Sequence, residues 1–244
     1  MEEQDYATTY RLEGGNWWFV GMRRICMEWV GRCQPQGRIL DVGCGTGINL
    51  DALEAFGPAT GADLSSTALD FCRQRALPSL VQARGERLPF PDGSFDVVTA
   101  FGVIEHIDAD RDTVSEWTRL AAPGGHVVLL TSAYQWMWSG HDVSNHHVRR
   151  YRASEVRALL EDAGLVDVRV SYLNTFLGVP IIAARLVERI LLRGREPKAR
   201  KDTGEVPPVI DRLLTAILGL EGRILRSRNL PFGVSIAASG RRPG

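Results

Sequence analysis

The stretch that decides the fold is Asp41-Val42-Gly43-Cys44-Gly45-Thr46-Gly47. It follows the apolar run Arg38-Ile39-Leu40, which predicts a buried strand, and it precedes Ile48 to Leu53, which predicts the start of a helix. Glycines at alternate positions let the backbone turn sharply and approach a ligand closely, because they carry no Cβ. The N-terminus of the following helix offers unpaired N–H groups to that ligand. The stretch therefore predicts a ligand-binding turn between a strand and a helix.

A second acid follows at the end of the next predicted strand. The run from Ala59 to Ser65 predicts this strand, and Asp63 lies near its end. A carboxylate in this place can accept hydrogen bonds from both ribose hydroxyls of a bound nucleoside, as in nucleotide-binding α/β folds. The dinucleotide fingerprint G-x-G-x-x-G is absent, because Ile48 stands where its third glycine would be.

The acidic-x-G-x-G-x-G form resembles motif I of the class I S-adenosyl-L-methionine (SAM) methyltransferases, and later stretches follow in that family's order. Gly85 to Val98 is similar to the adenine-side loop and fourth strand, Ile104-Glu105-His106 to the next helix, and Leu120 to Leu129 to the fifth strand. The resemblance implies a doubly wound, seven-stranded, mostly parallel α/β sheet of Rossmann-like type, with an antiparallel last strand. It implies SAM as cofactor, S-adenosyl-L-homocysteine as product, and methyl transfer as the reaction.

The resemblance also implies where the cofactor binds, at the carboxyl ends of strands one, two and four. Asp63 is expected to hold the ribose and Glu86 to lie near the adenine. Arg84 takes the place of an acid that the family usually carries two residues before Glu86. Together, the expected cofactor-binding residues are Arg23, Asp41, Gly43, Cys44, Gly45, Gly47, Asp63, Leu64, Gly85, Glu86, Phe101, Gly102 and Val103.

Ahead of the first strand, the aromatic cluster Trp17-Trp18-Phe19 precedes a helix that the pattern predicts from Arg23 to Cys33. The aromatic side chains could lie buried under the edge of the sheet. Alternatively, the segment could lie over the cofactor, as N-terminal segments in this family often do. A guanidinium group matches a carboxylate in geometry, which makes Arg23 a candidate partner of the methionyl carboxylate.

The densest polar chemistry lies in residues 141–151, just beyond strand five, where the acceptor usually enters in this family. A general base among these residues could take a proton from the acceptor. A metal site is a weaker interpretation, since the spacing matches no standard site, and no metal is predicted. The segment could also be a loop whose side chains tie the structure down by hydrogen bonds. Candidate catalytic residues are His141, Asp142, His146, His147 and Tyr151, and candidate acceptor-binding residues are Trp136, Trp138, Arg149 and Arg150. For His106 we favour a structural role.

Between the last two strands the sequence inserts residues 173–233, which carry 11 Arg or Lys and 6 Asp or Glu. Apolar spacing predicts two amphipathic helices, one from Phe176 to Arg193 with a charged stripe at Arg185, Glu188, Arg189 and Arg193, and one from Ile210 to Leu225. A charged, Pro-rich linker is predicted from Gly194 to Pro208. The two helices could form a cap on the core or on a second subunit, or they could lie on an anionic membrane.

We expect four parts along the chain. These are an N-terminal helical cap over 1–37, a core over 38–172, the helical insertion over 173–233, and the last strand with its tail over 234–244.

Composition limits the partners and the compartment that the sequence suggests. The 244 residues have 44% hydrophobic content and a formal net charge of zero, which does not indicate nucleic acid as a partner. The acidic N-terminus and the absence of paired cysteines are typical of a cytoplasmic protein, with peripheral membrane contact and a homodimer left open.

The whole chain is similar to a bacterial subgroup of type 11 methyltransferases, on Trp17-Trp18-Phe19, on His147 to Tyr151 and on Leu230 to Ser235. The subgroup implies a small-molecule, glycan or lipid-linked acceptor, and we expect O- or N-methylation rather than C-methylation. The alternative hypothesis is a non-catalytic SAM-binding scaffold that acts through its helical insertion.

Overall fold

A computed structural model describes residues 3–192, 204 and 206–244. Seven strands form one sheet, in chain order β1 (Ile39–Val42), β2 (Ala59–Asp63), β3 (Leu80–Gln82), β4 (Phe95–Phe101), β5 (Ala121–Ser132), β6 (Val166–Leu173) and β7 (Ser235–Arg241). The helices are α1 (Glu3–Leu12), α2 (Trp17–Arg32), α3 (Ile48–Leu53), α4 (Ser66–Gln74), α5 (Asp110–Leu120), α6 (Gly140–Ser144), α7 (Ala153–Asp162), α8 (Gly178–Leu192) and α9 (Pro208–Leu225).

The order of strands across the sheet is β3-β2-β1-β4-β5-β7-β6. β1 runs parallel to β2 and β4, whereas β7 runs antiparallel to β5 and β6. Helices cover both faces, and each face buries its own apolar cluster. The prediction of a doubly wound, mostly parallel sheet with an antiparallel last strand is confirmed. The strand order reverses direction at β1 and β4, where open α/β sheets bind their ligands.

The first helices differ from their prediction. α2 begins at Trp17, six residues before the predicted start at Arg23, so the aromatic cluster lies inside the helix rather than ahead of it. The helix begins earlier because Asn16 caps it: the side chain of Asn16 accepts a hydrogen bond from the Trp18 N–H.

The predicted helix after β4 also begins later than expected. The residues Ile104 to His106 form a 3₁₀ turn, and the helix begins only at Asp110.

The two helices between β6 and β7 pack differently. α9 lies along α2, with Leu218 and Leu225 fully buried. The Leu218 side chain lies so close to Gly21 that a Cβ there would stand 2.4 Å from it. α9 is therefore an integral layer of the core. α8 is mostly exposed, and much of the predicted linker from Gly194 to Pro208 lies outside the described residues, as do Arg193 and the side chains of Glu188 and Arg189. Among the described helices, none is long and apolar enough to span a bilayer.

Candidate active site

The glycine turn and the acid of β2 are joined by hydrogen bonds. The Gly45 N–H donates to Asp63 Oδ2 at 2.9 Å, and the Ser65 N–H donates to Asp63 Oδ1 at 2.9 Å. Desolvation by burial raises the pKa of this carboxyl above its usual value, which the two backbone donors partly oppose. The turn and the ribose-binding candidate of the sequence therefore form one unit at the carboxyl edge of the sheet.

The turn leaves space for a ligand on one side only. Gly43 has φ +67° and a Cβ there would stand 2.5 Å from Val103 Cγ2, so this glycine is needed for close packing. Gly45 has φ +55° and a Cβ there would meet nothing within 4 Å. The open side at Gly45, next to Asp63, is a cradle that fits a nucleoside cofactor, and the helix α3 that follows points its N-terminus at it.

Asp41 lies behind the turn rather than on its open face. Its carboxylate is buried and accepts a hydrogen bond from Thr99 Oγ1 on β4 at 2.7 Å. Desolvation by burial raises the pKa of Asp41 to about 7, with a further contribution from the nearby Asp63. Asp41, which we expected to contact the cofactor, is thus buried between β1 and β4, where it supports the start of the turn.

The N-terminal segment is fastened to the turn by a carboxylate that the sequence analysis missed. Glu13 is buried and accepts hydrogen bonds from Thr46 Oγ1 at 2.6 Å and from Arg75 Nη2 at 2.6 Å. Arg23 Nη1 donates to the backbone oxygen of Glu13 at 3.0 Å. Arg23 is thus connected to the turn through Glu13, which contacts both. A single Glu ahead of two glycines carries no periodic signal, so only the fold could reveal its role.

α1 brings a tyrosine next to the ribose candidate. Tyr6 is buried and hydrogen-bonds to the side chain of Ser65, close to Asp63. Tyr10 stacks on Phe71 of α4 with ring centroids 4.8 Å apart. Of the two interpretations of the N-terminal segment, the one that lays it over the cofactor region agrees with these contacts for α1.

The residues expected near the adenine lie around the ends of β3 and β4. Glu86 is half-buried and lies 3.6 Å from the guanidinium of Arg84. The carbonyl of Gly85 accepts a hydrogen bond from Trp117 Nε1 at 3.0 Å. Phe101, Gly102 and Val103 follow at the carboxyl end of β4, and Leu64 is exposed just after β2. The structure therefore collects the expected cofactor residues along one edge of the sheet, with Asp41 set beneath it.

The polar segment 139–151 is organised around one carboxylate. Asp142 is fully buried and accepts hydrogen bonds from the Ser139 N–H at 2.8 Å, from His147 Nδ1 at 2.8 Å and from Arg150 Nε at 2.7 Å. Burial by itself would raise the pKa of Asp142, but the hydrogen bonds from His147 and Arg150 hold it well below its usual range. Asp142 is therefore an ionised anchor that fixes the orientation of the His147 ring.

Three imidazole rings gather at this anchor. The rings of His106 and His147 meet edge to face with centroids 4.8 Å apart, and those of His141 and His147 lie 6.0 Å apart. His106 follows β4 and keeps part of its surface in contact with solvent, while the partial desolvation of its ring by neighbouring groups lowers its pKa below the usual value. Sequence reasoning gave His106 a structural role, whereas the structure brings it into contact with a predicted catalytic residue. His146 lies beside it, with its carbonyl oxygen 3.4 Å from His106 Nδ1.

Arg149, Arg150 and Tyr151 hold the segment in place. Tyr151 is buried, and its hydroxyl donates to Asp110 Oδ2 at 3.0 Å. Arg149 Nη1 donates to the same oxygen at 2.7 Å. Arg150 also donates to the carbonyl of Ala133 at 3.1 Å. These three side chains connect the segment to the end of β5 and to α5. Arg150 and Tyr151 point inward, whereas the Arg149 side chain is 34% exposed.

Aromatic rings form the other wall of this region. The partly exposed Trp136 stacks on Tyr134 with centroids 5.6 Å apart, and Tyr134 stacks on Tyr172 at 5.0 Å. Trp138 is half-buried nearby in the chain. Tyr134 and Tyr172 were not among the predicted acceptor residues, because they lie 38 positions apart in the sequence. Within the described residues, no group of three His, Cys, Asp or Glu side chains is arranged to hold a metal ion.

A doubly wound sheet with a glycine turn after β1 and an acid after β2 defines the class of α/β proteins that bind a nucleoside-containing cofactor. Residues 40–129 match the family model described as a methyltransferase domain, of type 11. Residues 40–129, which run from β1 into β5, are therefore similar to a methyltransferase domain of this type.

The curated relatives are methyltransferases by name. A probable S-adenosylmethionine-dependent methyltransferase of Mycobacterium tuberculosis is 32% identical over 161 residues, which cover 64% of this chain and 58% of the relative. A ubiquinone/menaquinone biosynthesis C-methyltransferase of Burkholderia mallei is 38% identical over 117 residues, which cover 42% of this chain and 46% of the relative. The chain thus spans about half the length of these relatives, 58% of the first and 46% of the second.

Solved structures agree on the fold. A SAM-dependent methyltransferase from Archaeoglobus fulgidus superposes with a TM-score of 0.62 at 16% identity, covering 97% of this chain and 99% of that one. Phosphoethanolamine N-methyltransferase 2 of Haemonchus contortus superposes with a TM-score of 0.60 at 16% identity, covering 90% of this chain and 52% of that one. At these identities the likeness establishes the fold alone.

Proposed function

We propose that this chain transfers a methyl group from SAM to a nucleophilic atom of an acceptor. The observation that carries the proposal is the hydrogen bond between Gly45 N–H and Asp63, which joins the open side of the glycine turn to a carboxylate at the end of β2. When bound, SAM supplies an electrophilic methyl group on its sulfonium. The protein holds that group in line with the incoming nucleophile, which lowers the entropic part of the barrier.

The residues that would hold the cofactor follow from the geometry of the turn. Asp63 would accept hydrogen bonds from the ribose hydroxyls, and the backbone of the turn 43–47 would contact the methionyl part. Arg23 lies beside the turn through Glu13 and is suited to the methionyl carboxylate. Glu86 and Phe101 to Val103 would border the adenine and the methyl channel.

Replacing Asp63 by alanine should weaken binding of S-adenosyl-L-homocysteine by about 1–3 kcal/mol, because charge-assisted hydrogen bonds to the ribose are lost. Titration calorimetry measures this affinity directly. The matched control is Asp70→Ala, which removes an exposed acid from α4 that pairs with Arg73 at 2.5 Å, and it should leave the affinity unchanged. Equal affinities of the Asp63 variant and the parent protein would reject the ribose assignment.

For the acceptor side, the His147–Asp142 pair supports proton removal from the nucleophile. Asp142 accepts from His147 Nδ1 at 2.8 Å, which leaves Nε2 of that ring with a free electron pair. His106 is in contact with His147 and is exposed after β4, and it would pass a proton from the acceptor to that ring or take the proton directly. His141, His146 and Tyr151 would position the pair. As the nucleophile bonds to the methyl carbon and the C–S bond breaks, its proton leaves to an imidazole.

A base of this kind fits an O- or N-nucleophile on a small-molecule, glycan or lipid-linked acceptor, and Trp136 with Trp138 would contact it. The match to a relative named as a C-methyltransferase supports a second candidate, methylation of a carbon. In that case the same imidazoles would deprotonate a hydroxyl that activates the carbon. NMR of a methylated product distinguishes a methyl on oxygen or nitrogen from one on carbon.

The test of the proposed function is incubation of the purified protein with SAM and a panel of acceptors, monitored for S-adenosyl-L-homocysteine. Turnover with any acceptor class supports an enzyme. Binding of S-adenosyl-L-homocysteine without turnover across phenolic, glycan, amine and lipid acceptors would favour the scaffold hypothesis instead.

A further inference from the structure

The helix α8 is apolar but almost unburied. It contains the run Ile181-Ile182-Ala183-Ala184, yet among its residues whose burial is described only Gly178 is buried. Ile190 is 72% exposed, and Val179, Leu186 and Val187 are exposed as well. A helix of this composition is stable in water only when its apolar surface is covered.

α9 adds a second exposed apolar face. Its inner side packs on α2, but Val209, Leu213 and Leu220 on the outer side are exposed, the first two by 78% and 60%. Phe176 and Phe232, next to the two helices in sequence, are also exposed. Most of the exposed large apolar side chains in the described part of the chain belong to residues 173–233.

The exposed charges of α9 are all positive. The two acids of α9 both point inward: Asp211 accepts the Trp17 N–H at 2.8 Å, and Glu221 is fully buried, accepting the Thr175 N–H at 2.8 Å. The exposed charges of α9 are the guanidinium groups of Arg212 and Arg223. The outer face of this helix therefore combines bulky apolar side chains with positive charge.

The attachment of α8 fixes it relative to α9. The carboxylate of Glu221 also accepts the Phe176 N–H at 3.2 Å, so α9 holds the backbone that leads into α8. A Cβ at Gly178 would stand 3.2 Å from Val234 Cγ1, which places the start of α8 against the approach to β7. The first turn of α8 is thus anchored on the core, while most of its length is exposed.

We propose that α8 and the outer face of α9 form a docking surface for a membrane rich in anionic lipid. Apolar side chains would enter the interfacial region, and Arg212 and Arg223 would pair with headgroup phosphates. At 15 residues α8 is too short to span the bilayer and fits a position in its plane. The positive charge of the outer face of α9 favours lipid over a second copy of this chain, which would bring like charges together. The surface is independent of the methyl transfer proposed above.

The proposal is tested by flotation of the full chain with vesicles of phosphatidylcholine alone or mixed with phosphatidylglycerol. The protein should float with the mixed vesicles and should do so less at high salt. Ile190→Asp and Leu213→Asp should each lower the partition coefficient by about tenfold or more, and Arg212→Glu with Arg223→Glu should lower it by a similar factor for the anionic vesicles only. The control is Val166→Asp, which changes an exposed valine on β6, outside the helices.

Circular dichroism and S-adenosyl-L-homocysteine affinity establish that each variant is folded. Failure of the parent protein to float would overturn the proposal. So would flotation of Ile190→Asp and Leu213→Asp to the same extent as the parent protein. A dimer in analytical ultracentrifugation that the same two variants convert to a monomer would also overturn it, since the faces would then cover each other. None of these results bears on turnover with soluble acceptors, so the proposed methyl transfer is judged separately.

Discussion

Replacing His147 by asparagine should lower kcat by about 100- to 10,000-fold, the usual contribution of a general base. Asparagine can place its side-chain N–H₂ where Nδ1 of the imidazole donates to Asp142, so the anchor keeps a partner, but no basic nitrogen remains. The affinity for S-adenosyl-L-homocysteine should be unchanged, because His147 lies in the segment 139–151 rather than on the glycine turn. Steady-state kinetics with an acceptor found in the screen measures the effect.

The control for this variant is His126→Asn, which makes the same change at the amino-terminal part of β5, away from the segment. It should leave kcat within about twofold of the parent, as expected for a change remote from the reacting groups. If His147 had a structural role alone, the variant would show a lower melting temperature. Its kcat and its affinity for S-adenosyl-L-homocysteine would then fall together. A normal kcat in a folded His147→Asn protein would exclude it as the base.

Asp41→Asn should stabilise the cofactor-free protein at pH 8 and leave it almost unchanged near pH 4. Because burial raises the pKa of Asp41 to about 7, folding favours the protonated carboxyl. The stability that this group contributes is fully present below its unfolded pKa, near 4, and is lost as the pH rises through about 7. Asparagine stays neutral throughout and can still accept from Thr99, so the gain in free energy of unfolding should grow with pH to at most about 4 kcal/mol.

Urea denaturation of the cofactor-free protein between pH 4 and pH 8 measures this difference. Thr99→Val, which removes the hydrogen bond that favours the ionised carboxylate, should extend the loss of stability to higher pH and make the total loss larger. Asp70→Asn, the same change on the exposed surface of α4, is the control for the substitution itself. A stability gain for Asp41→Asn that is the same at pH 4 and pH 8 would contradict the burial argument.

The sheet and the glycine turn could be predicted because both depend on local sequence. A buried strand followed by alternate glycines has few other conformations open to it, and the acid after β2 occurs at a spacing set by one strand–helix–strand unit. β3 was not predicted because its three residues are too short for an alternating pattern to emerge. α1 was missed because its residues are mostly polar, and its position depends on contacts with α4 and the turn.

The acceptor side was less predictable because it depends on contacts between distant residues. The sequence indicated the histidines of the segment 139–151, but it could not show that His106 lies against His147, 41 residues later. Nor could it show that Arg150 and Tyr151 point inward, since their direction is decided by Asp142 and Asp110. For the insertion, apolar spacing predicted both helices correctly, yet the same pattern belongs to α9, which completes the core, and to α8, which does not.

The Glu13 carboxylate couples the order of α1 to the binding of the cofactor. Thr46 belongs to the glycine turn, and Glu13 joins it to the segment that begins with α1. If an ordered α1 increases the affinity of the turn for the cofactor, then bound cofactor stabilises α1 by the same free energy, because thermodynamic coupling is reciprocal. Hydrogen exchange of the α1 amides should therefore slow when S-adenosyl-L-homocysteine is added, and Glu13→Gln, which weakens the pairing with Arg75, should reduce that slowing. The first dozen residues would thus report on cofactor occupancy.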